Sequence, residues 1–206
     1  PAQLKKGSVL VVGSGSSGSQ IAEELNKANR EVYFSIGPHD RPPRRYRGKD
    51  NVWWLGVLGK WEAKIPKPGT QHVTIAVSGY DGGKTIDFRK FAHSGITLLG
   101  MTKKYENGKL YFNDDLRNNI ENGDQNYLEL LNEADDYIKK NNLTFPEEPE
   151  ARNFLSDHLC ITKPILELNL EKLGITSVIW ATGYKHNFDW LKVDVIDKDG
   201  KPIHQN

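Results

Sequence analysis

The sequence has little cysteine, no long apolar run and no excess of charge of either sign. Its one cysteine, Cys160, excludes an internal disulfide and a multi-cysteine zinc site. The six histidines show no metal-ligand spacing. Lysine and arginine total 28 against 27 aspartate and glutamate, so net charge gives no reason to expect a nucleic acid or an anionic membrane as a partner. No apolar run approaches the roughly 20 residues of a membrane-spanning helix. We therefore expect a cytoplasmic protein that binds neither nucleic acid nor membrane.

The first part of the chain has the pattern of a strand, a helix and a second strand. Val9–Val12 is a short apolar run that ends in glycine, as in a parallel strand covered on both faces. The residues that fall on one face of the following helix are Gly18, Ile21, Ala22, Leu25 and Ala28. Glu31–Ile36 is typical of the next strand. This arrangement predicts a β-α-β unit.

The rest of the sequence predicts further elements of both kinds. Helices are expected at Val52–Leu55 and Asp124–Lys140. Strands are expected at Val73–Val77, Ile96–Met101, Lys109–Phe112, Ile165–Leu168 and, as a last buried strand, Ser177–Gly183. The interval 56–119 is alternating and rich in turns, which predicts a small antiparallel excursion within a single domain over 1–206. The expected class is α/β, with a mainly parallel sheet that has helices on both faces.

The sequence GSGSSG at 13–18 matches the G-x-G-x-x-G pattern of dinucleotide-binding turns. The three glycines permit a tight turn, a close approach of the backbone to a pyrophosphate, and close packing of helix on strand. The candidate phosphate-binding residues are Gly13, Ser14, Gly15, Ser16, Ser17 and Gly18. Because the motif lies between a strand and a helix, it favours a Rossmann-like fold. The alternative is a structural turn in another α/β fold.

The end of the second predicted strand indicates which nicotinamide cofactor is preferred. NAD-binding sites place Asp or Glu there, to accept a hydrogen bond from the ribose 2′-hydroxyl. This chain has Ser35 instead, followed by Arg41, Arg44 and Arg45. Guanidinium groups suit a 2′-phosphate, so these four residues predict NADP(H), with Arg41 the weaker candidate. The alternative is a solvated basic loop.

Two other motifs fit their patterns less well. Ser78–Thr85 resembles a Walker A loop, but serine stands where that motif requires glycine. Tyr80–Lys84 and Tyr105–Lys109 have the spacing of the Tyr-x-x-x-Lys pair of short-chain dehydrogenases. Each has glycine between the two side chains, which disfavours the helix that the pair needs.

Three segments together carry a resemblance to a known family: GSGSSG, PPRRYRGKDNVWWLGVLGKW and IWATGY. They resemble the NADPH-binding domain of flavin-containing monooxygenase-like oxidoreductases, especially bacterial flavoproteins often labelled as involved in potassium transport. The resemblance extends from Leu4 to about Ile203. The transport label gains no support from the sequence.

The resemblance implies an enzyme that binds FAD and NADP(H) and passes hydride from NADPH to the flavin, acting on a small-molecule substrate. It implies that Thr182 and Gly183 lie on the flavin side. The family also has a second G-x-G-x-x-G, in its FAD domain, and no such motif precedes Gly13 here. We therefore expect an NADPH-binding portion whose FAD domain is largely missing, inactive alone, with that domain as its partner and with a possible homodimer.

Two rival functions remain open at this point. One is a non-catalytic dinucleotide-sensing module that regulates a partner protein. The other is a single-cofactor NADP dehydrogenase, which lacks a credible catalytic constellation here. We assign no residue as general acid or base, because a flavin would supply the chemistry.

Overall fold

The computed structural model describes residues 2–62, 74–80, 82–184, 187–188, 190–198, 200 and 202–203. The strands are β1 (Ser8–Val12), β2 (Val32–Ser35), β3 (His39–Asp40), β4 (Arg45–Tyr46), β5 (Lys49–Asp50), β6 (Thr74–Ile75), β7 (Val77–Ser78), β8 (Lys84–Thr85), β9 (Thr97–Leu99), β10 (Thr102–Glu106), β11 (Lys109–Phe112), β12 (Glu167–Asn169) and β13 (Ile175–Trp180). The α-helices are α1 (Ser16–Lys27), α2 (Asn51–Val57), α3 (Phe88–His93), α4 (Leu116–Lys140) and α5 (Leu159–Thr162), with short 3-10 helices at Lys60–Glu62 and Pro149–Arg152. The fold is mixed α/β.

A four-stranded parallel sheet has the order β13-β1-β2-β9. β1 pairs on both sides, and every residue of this strand is buried. The prediction that Val9–Val12 lies inside the sheet, away from its edges, is confirmed. The β-α-β unit is confirmed as well, because α1 connects the parallel neighbours β1 and β2 and packs against both.

The two faces of this sheet are covered by different kinds of element. Val9 and Val11 point to a core that includes residues of α1, α3, α4 and α5. Leu10 and Val12 point to the opposite face, where they pack against an antiparallel sheet of order β10-β11-β12. The expectation of helices on both faces is therefore wrong for the described part of the chain. The apolar run of β1 shows only that both of its faces are buried, and either kind of cover satisfies that pattern.

The last strand is less buried than its sequence suggests. β13 forms one edge of the parallel sheet, and its residues are partly or largely exposed. The side chain of Trp180 is 61% exposed. The expected last buried strand is thus a half-exposed edge strand, because it pairs with a neighbour on one side only.

The interval 56–119 contributes to both sheets. It contains β9, an edge of the parallel sheet, and the hairpin of β10 and β11. Asn107 and Gly108 form the hairpin turn with φ of 50° and 76°, as a two-residue type I′ turn requires. The prediction of a strand at Lys109–Phe112 is confirmed. For Val73–Val77 the described part holds the short strands β6 and β7, while Val73 itself lies outside the described residues.

The predicted helices exist, and one is longer than expected. α2 confirms the helix at Val52–Leu55, and Trp54 is fully buried with its indole N–H donating to the carbonyl of Tyr46 at 3.0 Å. α4 begins at Leu116 instead of Asp124. Its first half is rich in asparagine and contains Gly123, residues of low helix propensity. Within the described ranges, no helix combines the length and the apolar character that crossing a bilayer needs.

Candidate functional site

A large cavity lies at the carboxyl ends of the parallel strands, beside β1 and β13. From β1 the chain proceeds to β2 and then β9 on one side, and it returns on the other side as β13. In open α/β sheets, ligands bind outside the carboxyl ends of the strands at such a switch point. The cavity measures about 1010 Å³, at the upper end of the roughly 300–1,000 Å³ of ordinary ligand pockets.

The cavity collects most of the residues that the sequence singled out. Those residues are Gly13, Ser14, Gly15, Ser16, Ser17, Ser35, Thr182 and Gly183. Gly18 follows Ser17 in α1 and is buried. The three arginines are not in the lining.

The glycines of the turn are required by close contacts. Gly13 has φ of +110°, and a Cβ there would come within 2.5 Å of the carbonyl oxygen of Ala181 at the end of β13. A Cβ at Gly18 would clash with the carbonyl of Gly13. At Gly15 a Cβ would lie 3.0 Å from the Cγ2 of Thr74. The first and third glycines thus let the turn, the helix and β13 approach one another, and the second keeps the turn narrow at the cavity.

The N-terminus of α1 opens into the cavity without a side-chain cap. Gly15 is its N-cap residue, no side chain accepts from the first turn, and the first turn holds no acidic residue. The Ser16 hydroxyl is already engaged, since it donates to the carbonyl of Ile75 at 3.2 Å and accepts from the N–H of Val77 at 3.4 Å. What Ser16 and Ser17 offer to a ligand is therefore backbone N–H at the positive end of the helix dipole. Such helix starts bind phosphate.

The end of β2 is tied to the start of β10 through one hydroxyl. Ser35 is buried, and its Oγ donates to the carbonyl of Gly100 at 2.9 Å. The same oxygen lies 2.9 Å from Oγ1 of Thr102, which acts as the donor because the proton of Ser35 is already used. The Oγ of Ser14 donates to the carbonyl of Gly37 at 3.3 Å, which links the glycine turn to the same region.

One wall of the cavity comes from β10, and the sequence analysis did not predict it. Lys103, Lys104 and Tyr105 line it. The Nζ of Lys104 lies 2.6 Å from a carboxylate oxygen of Glu106, and this pairing raises the pKa of Lys104. The signal in the sequence was the pair of adjacent lysines shortly after the predicted strand Ile96–Met101. Such a pair more often lies on a solvated surface than in a binding site.

The end of β13 forms the remaining rim. The Ala181 N–H donates to the carbonyl of Val12 at 2.7 Å, so the ends of β13 and β1 stay paired up to the cavity. Thr182 and Gly183 follow, and Gly183 has φ of +92°. Tyr184 is almost fully exposed. The rim thus adds the exposed aromatic side chains of Trp180 and Tyr184 to the lining.

Arg41 is a buried structural residue. Its side chain is 4% exposed, and its guanidinium donates to Asp124 at 2.7 Å and to the carbonyl of Ile86 at 2.9 Å. The ring of Tyr127 stacks against it at 4.5 Å. These contacts hold the loop after β3 against α4, and the assignment of Arg41 to the ribose phosphate stays a prediction.

Arg44 and Arg45 are bonded within the loop region. Arg44 forms an ion pair with Asp50 at 3.0 Å, and Gly83 lies so close to its guanidinium that a Cβ there would clash. Arg45 donates to the carbonyl of Gly82 at 2.7 Å. The assignment of a ribose phosphate to these two arginines stays a prediction.

The lining of the cavity combines apolar side chains with groups that can donate hydrogen bonds to an anion. Its described lining holds two lysines, hydroxyl groups and helix-start N–H groups, and no carboxylate, histidine or cysteine. Metal-binding clusters are likewise absent from the described ranges. The glycine cradle and the donors fit a dinucleotide pyrophosphate.

Curated proteins of two bacterial genera are similar to this chain. An uncharacterized oxidoreductase CzcO-like protein of Geobacillus kaustophilus is 28% identical over 207 residues, which cover 100% of this chain and 43% of that protein. The uncharacterized oxidoreductase CzcO of Bacillus velezensis is 27% identical, over 98% of this chain and 42% of that protein. The protein of the same name from Bacillus subtilis is 25% identical, with the same two coverages. No family model and no solved structure matches the chain. The chain thus spans less than half the length of the curated relatives it matches.

Proposed function

We propose that this chain is the NADP(H)-binding portion of a FAD-dependent, monooxygenase-like oxidoreductase with a Rossmann-like fold. The observation that supports it most is the G-x-G-x-x-G turn, which opens a cavity at the switch point of the sheet under a helix start that has neither a side-chain cap nor an acidic residue. The relatives, named oxidoreductases, support a redox function.

Each part of the cavity has a role in this proposal. The backbone of Gly13 and Gly15 approaches the pyrophosphate, and the N–H groups of Ser16 and Ser17 donate to it. The nicotinamide and the flavin supply hydride transfer when both are bound. Thr182, at the rim beyond β13, lies on the side that would face the flavin. The chain's own residues position the dinucleotide and carry no proton.

A non-catalytic dinucleotide sensor is the second candidate. It is favoured by the composition of the cavity, since the described lining holds no carboxylate, histidine or cysteine. The two candidates differ in whether the full-length protein contains a flavin, which an absorbance spectrum of that protein distinguishes.

A charge placed at Ser17 tests the phosphate site without disturbing the fold. Ser17 is exposed and lies in the first turn of α1, where a carboxylate stabilises a helix by about 0.3–1 kcal/mol. Ser17→Glu should therefore keep or raise the melting temperature while weakening NADP⁺ binding at least about tenfold, because ~1.4 kcal/mol of repulsion suffices. Calorimetric titration and thermal unfolding measure the two effects.

Ser17→Gln is the matched control, because it has nearly the size of glutamate and no charge. We expect it to retain most of the wild-type affinity for NADP⁺. A wild-type chain that binds neither NADP⁺ nor NAD⁺ would overturn the proposed function, and so would a Ser17→Glu variant that binds NADP⁺ as tightly as wild type.

A further inference from the structure

The positive charge in the cavity comes from β10. Lys103 and Lys104 are the charged side chains in the described lining, which otherwise presents neutral groups. They line the same cavity as the uncapped start of α1. The cavity thus offers an anion two separate places, a helix N-terminus and a lysine wall.

The lysine wall is fixed at the end of β2. Ser35, the last residue of β2, pairs with Leu99 in the parallel sheet. Its hydroxyl then bonds both Gly100 and Thr102, each at 2.9 Å. Lys103 follows Thr102 directly and lines the same cavity as Ser35. These bonds hold the backbone of Lys103 beside the position where dinucleotide-binding folds receive the adenosine ribose.

The two lysines differ in how their charge is used. Lys104 is paired with Glu106 at 2.6 Å, and its ammonium also lies over the ring of Tyr111 at 4.9 Å. Lys103 forms no ion pair or hydrogen bond through its side chain with the described residues, and it is exposed. Its ammonium is therefore the cation of this wall that a ligand can engage without displacing a protein carboxylate.

We propose that Lys103 binds a phosphomonoester on the ribose of the dinucleotide and thereby sets a preference for NADP(H) over NAD(H). This inference rests on the function proposed above. A carboxylate at the end of the second strand would repel a phosphate dianion, and Ser35 is neutral. The ammonium of Lys103 supplies the balancing charge. Arg44 and Arg45 are bonded to Asp50 and to a loop carbonyl instead.

The test is a calorimetric titration of the whole chain with NADP⁺ and with NAD⁺. In Lys103→Met, the Kd for NADP⁺ should rise about tenfold, the effect of one charge-assisted contact at an exposed site. The Kd for NAD⁺ should change less than about twofold, because NAD⁺ lacks the phosphate. Lys103→Arg keeps the positive charge and should therefore retain the preference for NADP⁺ over NAD⁺. A merely structural role for the side chain would not explain that result.

Two further variants make the result specific. Lys109→Met removes the same charge from the neighbouring strand, at a half-exposed lysine that is paired with Glu167 and does not line the cavity, and it should leave both affinities unchanged. The double variant Arg44→Ala, Arg45→Ala tests the loop arginines and should lower neither affinity more than about twofold.

Three outcomes would overturn the inference about Lys103. They are an unchanged NADP⁺ affinity in Lys103→Met, an equal loss of both nucleotides, and a loss of the preference only in the double arginine variant. In all three the wild-type chain still binds dinucleotide, so the proposed function survives. A wild-type chain that binds neither nucleotide would reject both.

Discussion

His39 is buried, and one of its two ring nitrogens is hydrogen-bonded. Its Nδ1 lies 2.9 Å from the carbonyl of Gly37, to which it donates, and its Nε2 has no hydrogen-bond partner among the described residues. Burial lowers the pKa of His39, and the nearby Arg41 lowers it further, while the bond to Gly37 and the charge of Asp124 oppose the shift. The folded protein therefore holds this imidazole neutral below the pH at which the unfolded chain protonates it.

Because the pKa of His39 is lowered, we expect the protein to lose stability in mild acid. Below about pH 6.5 the unfolded chain binds a proton that the folded chain does not, so the free energy of unfolding falls as the pH falls, by at most about 1.4 kcal/mol per pH unit. Between pH 7.5 and 5.5, His39→Gln should lose about 1 kcal/mol less than wild type in urea unfolding. Parallel profiles for the two proteins would contradict this assignment. Carboxylates such as Asp135, whose pKa is lowered, titrate in both and cancel.

At the scale of single residues, the sequence predicts the glycine turn and misses the lysine wall. Gly13 and Gly18 are required by contacts that the motif itself encodes, because neighbouring elements leave no room for a Cβ. Lys103 has no such local signature, since its place in the cavity depends on the contact of its neighbour Thr102 with Ser35, which is distant in the sequence. The buried ion pair of Arg41 with Asp124 could not be predicted either, because the two residues are distant in the sequence.

Asp124 connects three elements of the helical face. From α4 it accepts from Arg41, in the loop after β3, at 2.7 Å, and it also pairs with Arg89 of α3. Arg89 has a second partner in Asp157 at 2.8 Å. Among the described residues, Asp124 is the carboxylate that pairs with Arg41, whose side chain is 4% exposed. Removing the charge of Asp124 would leave a buried guanidinium without an ionic partner.

Asp124→Asn should therefore destabilise the protein strongly. Breaking a buried pair by removing one partner costs about 3–5 kcal/mol, and we expect about 3 kcal/mol here because Arg89 keeps Asp157. Glu23→Gln is the control, as Glu23 pairs with the half-exposed Lys27 on α1, and it should cost under about 0.5 kcal/mol. Urea unfolding at pH 7 measures both. Similar costs for the two variants would mean that the network adds little to stability.

At the scale of elements, the sequence predicts whether a segment is a helix or a strand better than it predicts what packs against that segment. The strands around β1 and the helix α2 follow from local patterns and are confirmed. The early start of α4 was missed because Gly123 packs against His39, a tertiary contact that overrides low propensity. The exposure of β13 and the cover of β1 by an antiparallel sheet were missed for a related reason. An apolar run records that a strand is buried, and the partner that buries it depends on distant residues.

The chain contains one G-x-G-x-x-G turn, and the cavity beside it, at about 1010 Å³, is large enough for a dinucleotide. Another cavity measures about 320 Å³ and has Glu23 and Glu24 in its lining, which disfavours a phosphate-rich ligand. The order of strands that creates the switch point could not be predicted, because nothing in the sequence of β13 states on which side of β1 it pairs. The net charge of the chain likewise does not predict the site, because the lysines that line the cavity are a local feature.

These features predict that the 206-residue chain by itself binds NADP⁺ but no stoichiometric FAD, and that it oxidises NADPH no faster than buffer. One G-x-G-x-x-G turn serves one pyrophosphate, and Thr182 with Gly183 at the rim offers too few contacts to hold a flavin. Without a bound flavin, the hydride of NADPH has no acceptor in this chain. Absorbance near 450 nm on purified protein, before and after incubation with FAD and desalting, measures the flavin content, and NADPH absorbance at 340 nm measures turnover. A preparation that retains about one flavin per chain would show that the cavity beside the glycine turn, or the rim beyond β13, binds FAD instead.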